Sequence, residues 1–276
     1  MQRTLPCGTS VAALGQGTWN LGDDARTRKD EIASLRRGID LGLTLLDTAE
    51  MYGDGRSEQL VGEAIAGRRD EVFLVSKVYP HNASRQAMPR SCEASLRRLG
   101  VETLDLYLLH WPGNVPLAET VATFEALQRA GKIRHWGVSN FDLEGMQELW
   151  ETPGGRAAQA NQVLYNLGER GIEWDLRPWQ QERGVAVMAY SPFDQGRLLH
   201  KRALATFAQE HGMTPGQVAI AWLLAQDDVV AIPKTGTPRR VEENAAALAH
   251  PLSRQQLQAL DRLFAPPSGP TPLAML

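Results

Sequence analysis

The feature that most constrains this fold is a regular alternation of short apolar runs with amphipathic stretches, which continues along nearly the whole chain. Short apolar runs are typical of strands buried on both faces, and the stretches between them have helical spacing. In one example, a helix pattern from Arg28 to Leu41 ends at Gly42, and a strand from Thr44 to Asp47 follows. Strands that alternate with helices in this way indicate parallel βαβ units.

Eight such units can be counted if a first strand is placed at about Ala13–Gly17, and eight units over about 250 residues match the size of a (β/α)₈ TIM barrel. We therefore predict a single barrel domain over residues 1–276, preceded by a β-hairpin of Arg3–Leu5 with Val11–Leu14. The other predicted strands are Val72–Val78, Leu104–His110, Ile133–Ser139, Ala158–Tyr165, Val185–Tyr190 and Val229–Pro233. The other predicted helices are Glu58–Ala66, Met88–Leu99, Leu117–Ala130, Leu143–Trp150, Trp174–Glu182, Lys201–His211 and Pro215–Gln226, with two extra C-terminal helices at Arg239–Leu248 and Arg254–Phe264. An open doubly wound sheet is the alternative, which the lack of a Gly-x-Gly-x-x-Gly turn after the first strand disfavours for a nucleotide enzyme.

The charge and composition restrict the class of protein. A net charge of −3 and a pI near 6.1 argue against binding to nucleic acid or to anionic membranes. Cys7 and Cys92 are too few for a disulfide framework or a thiolate metal site. No signal-peptide core and no membrane-span-like apolar run occur. We therefore expect a cytoplasmic protein that is monomeric by default, because no heptad seam or strand edge demands a partner.

Three of the predicted strands finish on chemically active side chains, which are Asp47, Lys77 and His110. Alternate residues of a strand share a side, so Leu45 faces the same way as Asp47, and Val75 the same way as Lys77. In a barrel these sets point inward, and their last members lie at the C-terminal rim, where the active sites of barrels are found. The sequence therefore predicts a site at this rim.

The combination of Asp47, Lys77 and the following Tyr52 has a specific chemical consequence. A lysine ammonium that donates to a tyrosine oxygen favours the phenolate, so we expect the pKa of Tyr52 to fall by roughly two units and the phenol to act as a general acid. In an apolar pocket, His110 is expected to be neutral and to orient a carbonyl oxygen. Each residue alone has an ordinary structural interpretation as a turn, rim or hydrogen-bonded residue. A metal site is not expected, because lysine and tyrosine are poor Zn²⁺ ligands.

Several motifs in the chain resemble the aldo-keto reductase superfamily, and most closely its bacterial methylglyoxal- and diketogluconate-reductase branch. The motifs are Asp47-Thr-Ala-Glu-Met-Tyr-Gly53, Ser76-Lys77, Leu108-Leu-His110, Gly137-Val-Ser-Asn140 and Ile232-Pro-Lys-Thr235. The resemblance implies a barrel that reduces carbonyls with NADPH and without metal. It also implies that Tyr52 donates the proton to the substrate, that Lys77 and Asp47 adjust the acidity of Tyr52, and that His110 orients the carbonyl.

The same resemblance implies a set of cofactor contacts. Ser139, Asn140 and Gln162 would bind the nicotinamide carboxamide, and Tyr190 would stack on the ring. Further contacts would come from the end of the first strand and from a segment over the pyrophosphate, and these are Thr18, Trp19, Ser191, Pro192, Phe193, Gly196 and Leu198.

The adenosine end of the cofactor would be held by a strand end and the following helix N-terminus, through Lys234, Thr235, Arg240, Glu243 and Asn244. A helix N-terminus favours anions, and two cations suit a ribose 2′-phosphate, so we expect NADPH to be preferred over NADH by at least tenfold. The alternative is that Arg240 is an exposed helix residue paired with Glu242 or Glu243.

The predicted substrate pocket is rimmed by Trp19, Met51, Tyr79 and Trp111, which follow strand ends. Aromatic walls without a cationic cluster suit small aldehydes, α-dicarbonyls such as methylglyoxal, or keto-sugars. The chain carries Gly42-Leu43-Thr44 where many family members carry an aromatic–Arg pair, so the substrate stays open. Two other functions are considered, a cofactor-binding regulatory protein on the same barrel and a barrel lyase or isomerase that uses Lys77.

Overall fold

A closed barrel of eight parallel strands forms the centre of the computed structural model, which describes residues 1 to 276. The strands are β3 (Gln16–Gly17), β4 (Leu45–Asp47), β5 (Phe73–Val78), β6 (Leu104–Leu109), β7 (Ile133–Ser139), β8 (Ala160–Leu164), β9 (Ala186–Tyr190) and β10 (Val229–Ala231). Each strand pairs with the next one in chain order, and every pair is parallel. The predicted (β/α)₈ fold is confirmed.

The barrel closes along a seam between its first and last strand segments. Gly15 N donates to the Ala231 carbonyl at 2.8 Å, and Ala231 N donates to the Ala13 carbonyl at 2.9 Å. A side chain at Gly15 would begin 2.8 Å from the Leu45 carbonyl oxygen, so only glycine allows this close approach. The predicted first strand is therefore regular only at its end, over Gln16–Gly17, and enters the seam as an irregular segment.

Residues of the strands alternate between the inside of the barrel and the layer of helices. Leu45, Val75 and Leu106 belong to a buried cluster of 12 residues that fills the interior. Their neighbours Leu46 and Leu74 belong to a separate cluster of 55 residues between strands and helices. The predicted inward direction of the sets that end on Asp47, Lys77 and His110 is thus confirmed.

The helices agree with the predicted ones except for shifts of one or two residues at most ends. They are α1 (Arg28–Asp40), α2 (Arg56–Ile65), α3 (Ala87–Leu99), α4 (Leu117–Arg129), α5 (Leu143–Glu151), α6 (Leu176–Glu182), α7 (Arg202–Glu210), α8 (Pro215–Leu224), α9 (Pro238–Ala246) and α10 (Arg254–Leu263). The start of α8 shows why the ends are fixed, because Thr214 and Gln217 form a capping box around Pro215. None of these helices has both the length and the apolar character that crossing a lipid bilayer requires.

A two-stranded hairpin of β1 (Gln2–Thr4) and β2 (Ser10–Ala12) covers the end of the barrel where the strands begin. Leu5 and Val11 are part of the interior cluster. Arg3 donates to the carbonyl oxygens of Leu224, Gln226 and Val229 at 2.7, 2.8 and 3.1 Å. The hairpin therefore closes this end of the barrel as a plug. The opposite end, where the strands finish, stays accessible, and we call it the mouth.

Candidate active site

An ion pair between Asp47 at the end of β4 and Lys77 near the end of β5 lies in the mouth. The Lys77 ammonium donates to Asp47 Oδ2 at 2.8 Å, to the Thr48 carbonyl at 2.9 Å and to the Tyr52 hydroxyl at 3.1 Å. All three ammonium protons therefore have an acceptor. The Lys77 side chain has no exposed surface, so the structure brings these three predicted residues together inside the protein.

Lys77 keeps its charge in spite of its burial. Burial lowers the pKa of Lys77, but the nearby Asp47 carboxylate and Tyr52 oxygen act against it and raise the pKa above its ordinary value. The side chain is therefore an ammonium at neutral pH.

The pKa of Tyr52 shifts in the opposite direction from the one predicted. Its hydroxyl lies deep among other groups, and this burial raises the pKa of Tyr52 more than the charge of Lys77 lowers it. The sequence shows which charge stands beside the phenol, but not how far the hydroxyl is removed from water. Tyr52 therefore carries its proton at neutral pH, as a proton donor must.

Tyr52 is held by a single 3₁₀ turn, Tyr52–Gly55, between β4 and α2. The backbone is left-handed at Gly53 (φ 58°) and Gly55 (φ 86°). A side chain at Gly53 would begin 2.4 Å from Asp23 Oδ1, so the loop after β3 packs directly on this turn. The glycines allow the chain to reverse immediately after Tyr52 and leave its hydroxyl over the barrel.

His110 follows β6 and lies edge-on to Tyr52, with 5.8 Å between the ring centres. Its pKa is lowered to about 2, first by burial and then by the charge of Lys77. Its Nδ1 atom is buried and has no hydrogen-bond partner in the protein. The imidazole is thus neutral throughout the physiological range, as predicted.

Gln162 of β8 contacts the ion pair directly, which the sequence did not predict. Its Nε2 donates to Asp47 Oδ1 at 2.8 Å, and its backbone carbonyl accepts from Ser139 Oγ at 2.8 Å and from Asn140 N at 2.8 Å. The one hydrogen bond of the amide group is made by Nε2, and Oε1 accepts none from the protein and remains available to a ligand.

The predicted nicotinamide residues Asn140 and Tyr190 are bound to each other. Tyr190 Oη donates to Asn140 Oδ1 at 2.9 Å, and Asn140 Nδ2 donates to the His110 carbonyl at 3.0 Å. Burial raises the pKa of Tyr190 to about 12, so this hydroxyl stays protonated. Asn140 also has a left-handed backbone, with φ 58°. The two residues thus connect the ends of β7 and β9 beside His110.

Two residues predicted to contact the cofactor have their side chains inside the protein. Thr18 is fully buried and donates to the Asp47 carbonyl at 2.9 Å. The side chain of Leu198 belongs to the large core cluster. In both cases the backbone is the part of the residue left for a ligand, so any cofactor contact of Thr18 or Leu198 is expected through main-chain atoms.

The segment predicted to cover the pyrophosphate, Ser191–Leu199, follows β9. Its backbone is left-handed at Ser191 (φ 49°) and Gly196 (φ 91°). Asn166 Nδ2 donates to the Ser191 carbonyl at 2.9 Å. Pro192 is buried, while Phe193 is partly buried and packs against the large core cluster.

The predicted adenosine-phosphate residues extend from the segment before α9 into the helix itself. Lys234 forms a bridge with Gly17 of β3, while Arg240, Glu243 and Asn244 lie on α9. Thr235 accepts from Ser34 through its carbonyl, and Asn244 is buried. The nearby acids are already engaged, Glu242 with Arg37 at 2.7 Å and Glu243 with Arg239 at 3.3 Å. Lys234 and Arg240 are exposed cations without an ion pair. The alternative pairing of Arg240 with Glu242 or Glu243 is therefore wrong, and the chemistry of the two free cations fits an anionic group.

The outer mouth has an aromatic wall that continues from the buried site. His110 contacts Trp111 with 4.8 Å between ring centres, and Trp111 contacts Tyr79 at 5.8 Å. Trp19 and Met51, at 44% and 39% exposure, are among the few large apolar side chains left open to solvent. The four predicted pocket residues are accessible or half-buried, and none carries a charge.

Glu50 is a residue of the mouth that the sequence did not reveal. It stands between Asp47 and Tyr52, and it accepts from Tyr79 N at 2.7 Å, from Asn82 Nδ2 at 3.1 Å and from the Ser91 hydroxyl. Glu50 therefore ties the loop that holds Tyr52 to the loop that holds Tyr79. The only signal in the sequence was a second acid, besides Asp47, within the motif Asp47-Thr-Ala-Glu-Met-Tyr-Gly53.

Comparison with known sequences gives one consistent result. The sequence profile of the aldo/keto reductase family matches residues 13–265. Methylglyoxal reductase YeaE of Escherichia coli (strain K12) is 54% identical over 272 residues, which cover 97% of this chain and 96% of that protein. Glyoxal reductase of Bacillus subtilis (strain 168) is 34% identical over 233 residues, or 83% of this chain and 82% of that protein.

Comparison with solved structures leads to the same family as the comparison with known sequences. An aldo/keto reductase from Klebsiella pneumoniae, crystallised with NADP and acetate, superposes with a TM-score of 0.97. It is 49% identical, and the match covers 100% of this chain and 99% of that one.

Proposed function

Because this chain belongs to the aldo/keto reductase family, we propose that it reduces small aldehydes and ketones to alcohols with NADPH, and that α-dicarbonyls such as methylglyoxal are its preferred substrates. The observation that carries this proposal is the hydrogen bond from buried Lys77 to Tyr52, beside a neutral His110. It joins a proton donor, a fixed positive charge and an uncharged imidazole in one mouth.

Each side chain has a distinct task in this proposal. When bound, the reduced nicotinamide supplies a hydride to the carbonyl carbon. Tyr52 gives its proton to the carbonyl oxygen, and Lys77 stabilises the tyrosine oxygen as negative charge develops on it. A neutral His110 can hydrogen-bond the same carbonyl oxygen without bringing a second positive charge next to Lys77.

The cofactor assignment is supported by polar and charged groups that have no partner within the protein. Gln162 Oε1 is an open acceptor for the amide of a nicotinamide ring. Lys234 and Arg240 have no acidic partner and are suited to a 2′-phosphate. The Klebsiella pneumoniae relative was crystallised with NADP. These features favour NADPH over NADH.

The substrate class is supported by the mouth and by the relatives. The walls of Trp19, Met51, Tyr79 and Trp111 carry no charge for a carboxylate or phosphate, so a small uncharged carbonyl compound fits them best. The related Escherichia coli and Bacillus subtilis proteins bear the names of methylglyoxal and glyoxal reductases.

The alternatives lack support from the site. A Schiff-base lyase or isomerase needs a neutral lysine amine, whereas Asp47 and Tyr52 hold Lys77 as an ammonium. A purely regulatory role leaves the complete set of Asp47, Tyr52, Lys77 and His110 without a task. We further propose that the protein works as a monomer in the cytoplasm, where its two free cysteines fit a reducing environment; size-exclusion chromatography with light scattering tests the assembly state.

The decisive experiment is to follow NADPH consumption with methylglyoxal and a panel of aldehydes, for the unaltered protein and for Tyr52→Phe. We expect turnover by the unaltered protein and a loss of about 10²- to 10⁴-fold in Tyr52→Phe, the usual contribution of a general acid. NADPH affinity, measured by fluorescence titration, should stay the same. If no carbonyl in the panel is reduced, the reductase function is wrong; if Tyr52→Phe is fully active, only the role of Tyr52 is wrong.

A further inference from the structure

Gln162 and Asp47 meet across the barrel rather than along a strand pair. In the order of the eight strands, β4 is second and β8 is sixth, so they stand on opposite sides of the barrel. The two side chains are 115 positions apart in sequence and only 2.8 Å apart in space. Each is about 2% exposed. Their hydrogen bond therefore spans the floor of the mouth.

The two oxygens of Asp47 have different partners. Oδ2 accepts from Lys77 at 2.8 Å, and Oδ1 accepts from Gln162 at 2.8 Å. A buried carboxylate with one donor on each oxygen has a fixed rotation, because turning it would remove both contacts. Gln162 thus helps to set the direction from which Asp47 holds the Lys77 ammonium under Tyr52.

The contact also fixes the orientation of the Gln162 amide. A carboxylate can only accept hydrogen bonds, so Asp47 requires the NH₂ end of the amide to face it. The oxygen end must then face away from Asp47, and no donor of the protein bonds to Gln162 Oε1. At Gln162 the mouth therefore offers a hydrogen-bond acceptor, Oε1, to a ligand, and not a donor.

Building on the proposed NADPH-dependent activity, we propose that Gln162 is a positioning residue that couples cofactor recognition to the proton-donating group. Through Nε2 it orients the Asp47–Lys77–Tyr52 chain, and through Oε1 it receives the amide N–H of the nicotinamide carboxamide. By this route the Asp47 carboxylate determines which end of the Gln162 amide faces the carboxamide.

The first test is a double-mutant cycle on NADPH affinity, with Asp47→Asn, Gln162→Met and the double variant. Asp47→Asn offers an amide in place of the carboxylate, so the Gln162 amide is free to turn its donor end outward. We expect Asp47→Asn to weaken NADPH binding about tenfold when Gln162 is present, roughly the effect of losing one hydrogen bond between neutral groups and leaving its donor unpaired. It should have no further effect in the Gln162→Met background.

The second test uses Gln162→Glu, which keeps an acceptor oxygen for the carboxamide. The introduced carboxyl would face Asp47, with Lys77, Tyr52 and His110 as the other titratable groups of the mouth. Two facing carboxyl groups share a proton, so at low pH the variant can still donate to Asp47 and should be active. As pH rises and this proton is lost, we expect hydride transfer in single turnovers to fall by about tenfold or more. The unaltered protein should lack this ionisation.

The outcomes separate the inference from the proposed function. Additive effects in the affinity cycle, together with a Gln162→Glu pH profile like that of the unaltered protein, would mean that Gln162 is a simple cofactor ligand and would overturn the coupling. Asn140→Ala combined with Asp47→Asn is the control cycle, because Asn140 does not contact Asp47 and its effects should add. If the unaltered protein neither binds NADPH nor reduces any carbonyl, the proposed function fails first, whatever these variants do.

Discussion

Lys77 is a fully buried cation whose three hydrogen bonds all end inside the protein. We predict that Lys77→Met costs about 3–5 kcal/mol of unfolding free energy, because it leaves the Asp47 carboxylate buried without its partner. It should also slow turnover about a hundredfold or more, since Tyr52 becomes a weaker acid without the ammonium. Denaturant unfolding and NADPH consumption measure the two effects. Lys29→Met is the control, since Lys29 is exposed on α1 and its loss should change neither quantity.

The titration of His110 and Tyr52 gives a prediction for pH dependence. Because the pKa of His110 is about 2, kcat/KM should show no histidine ionisation between about pH 5 and 8. Because the pKa of Tyr52 is raised, its proton is present through neutral pH and is lost only above the ordinary tyrosine value of about 10. The rate should therefore be flat around neutrality and fall at alkaline pH. An inflection near pH 6.5 that disappears in His110→Gln would contradict this assignment.

At the scale of elements, the loops after β4 and β5 depend on Glu50 for their relative position. We predict that Glu50→Ala raises KM for methylglyoxal severalfold with little change in kcat, because Tyr79 moves while the Lys77–Tyr52 contact stays. The unfolding free energy should fall by about 1–3 kcal/mol, since partly buried donors such as Tyr79 N lose their acceptor. Steady-state kinetics and denaturant unfolding are the measurements.

A suitable control for the Glu50→Ala variant is Glu63→Ala, which removes a glutamate of α2 instead. Glu63 pairs with Arg28 on the surface, so its removal should cost no more than about 1 kcal/mol. If both variants behave alike, or if Glu50→Ala lowers kcat as strongly as KM rises, Glu50 does not act through the aromatic wall.

The first turn of α9 offers a matched pair of arginines. Arg240 has no acidic partner, whereas Arg239 pairs with Glu243. We predict that Arg240→Ala weakens NADPH binding about tenfold or more and leaves NADH binding unchanged, because only NADPH carries the 2′-phosphate. Arg239→Ala should affect neither cofactor. Equal loss of both cofactors in Arg240→Ala would show that it contacts another part of the dinucleotide.

At the scale of the whole molecule, the sequence predicts those features that local periodicity determines. The two-residue repeat of a strand is enough to place Asp47, Lys77 and His110 inside the barrel and at its rim. The helices are predicted by their spacing in the same way. The start of α8 at Pro215, which is fixed by the Thr214–Gln217 capping box, agrees with the prediction, whereas its end lies at Leu224 rather than Gln226 because helix ends without such a cap are less sharply defined.

The features that the sequence did not predict depend on distance in space. The upward shift of the Tyr52 pKa results from the depth of its hydroxyl, which only the packed structure determines. The Gln162–Asp47 contact joins opposite strands, and no local pattern relates them. The same holds for Thr18, whose hydroxyl binds inside the protein because β3 lies directly against β4.

The hairpin plug and the barrel seam have a consequence for synthesis. Arg3 and Ala13 find their partners in residues 224–231, so the earliest part of the barrel to be made is completed by one of the last. Contacts of this sequence separation form slowly, and a chain growing on the ribosome cannot make them until the distant segment has emerged. A nascent chain that stops before Val229 has an open strand edge at Gln16–Gly17, next to the strand that ends in Asp47. Closure of the ring, and with it the enclosure of the charged pair in the mouth, is therefore a late step in the folding of this chain.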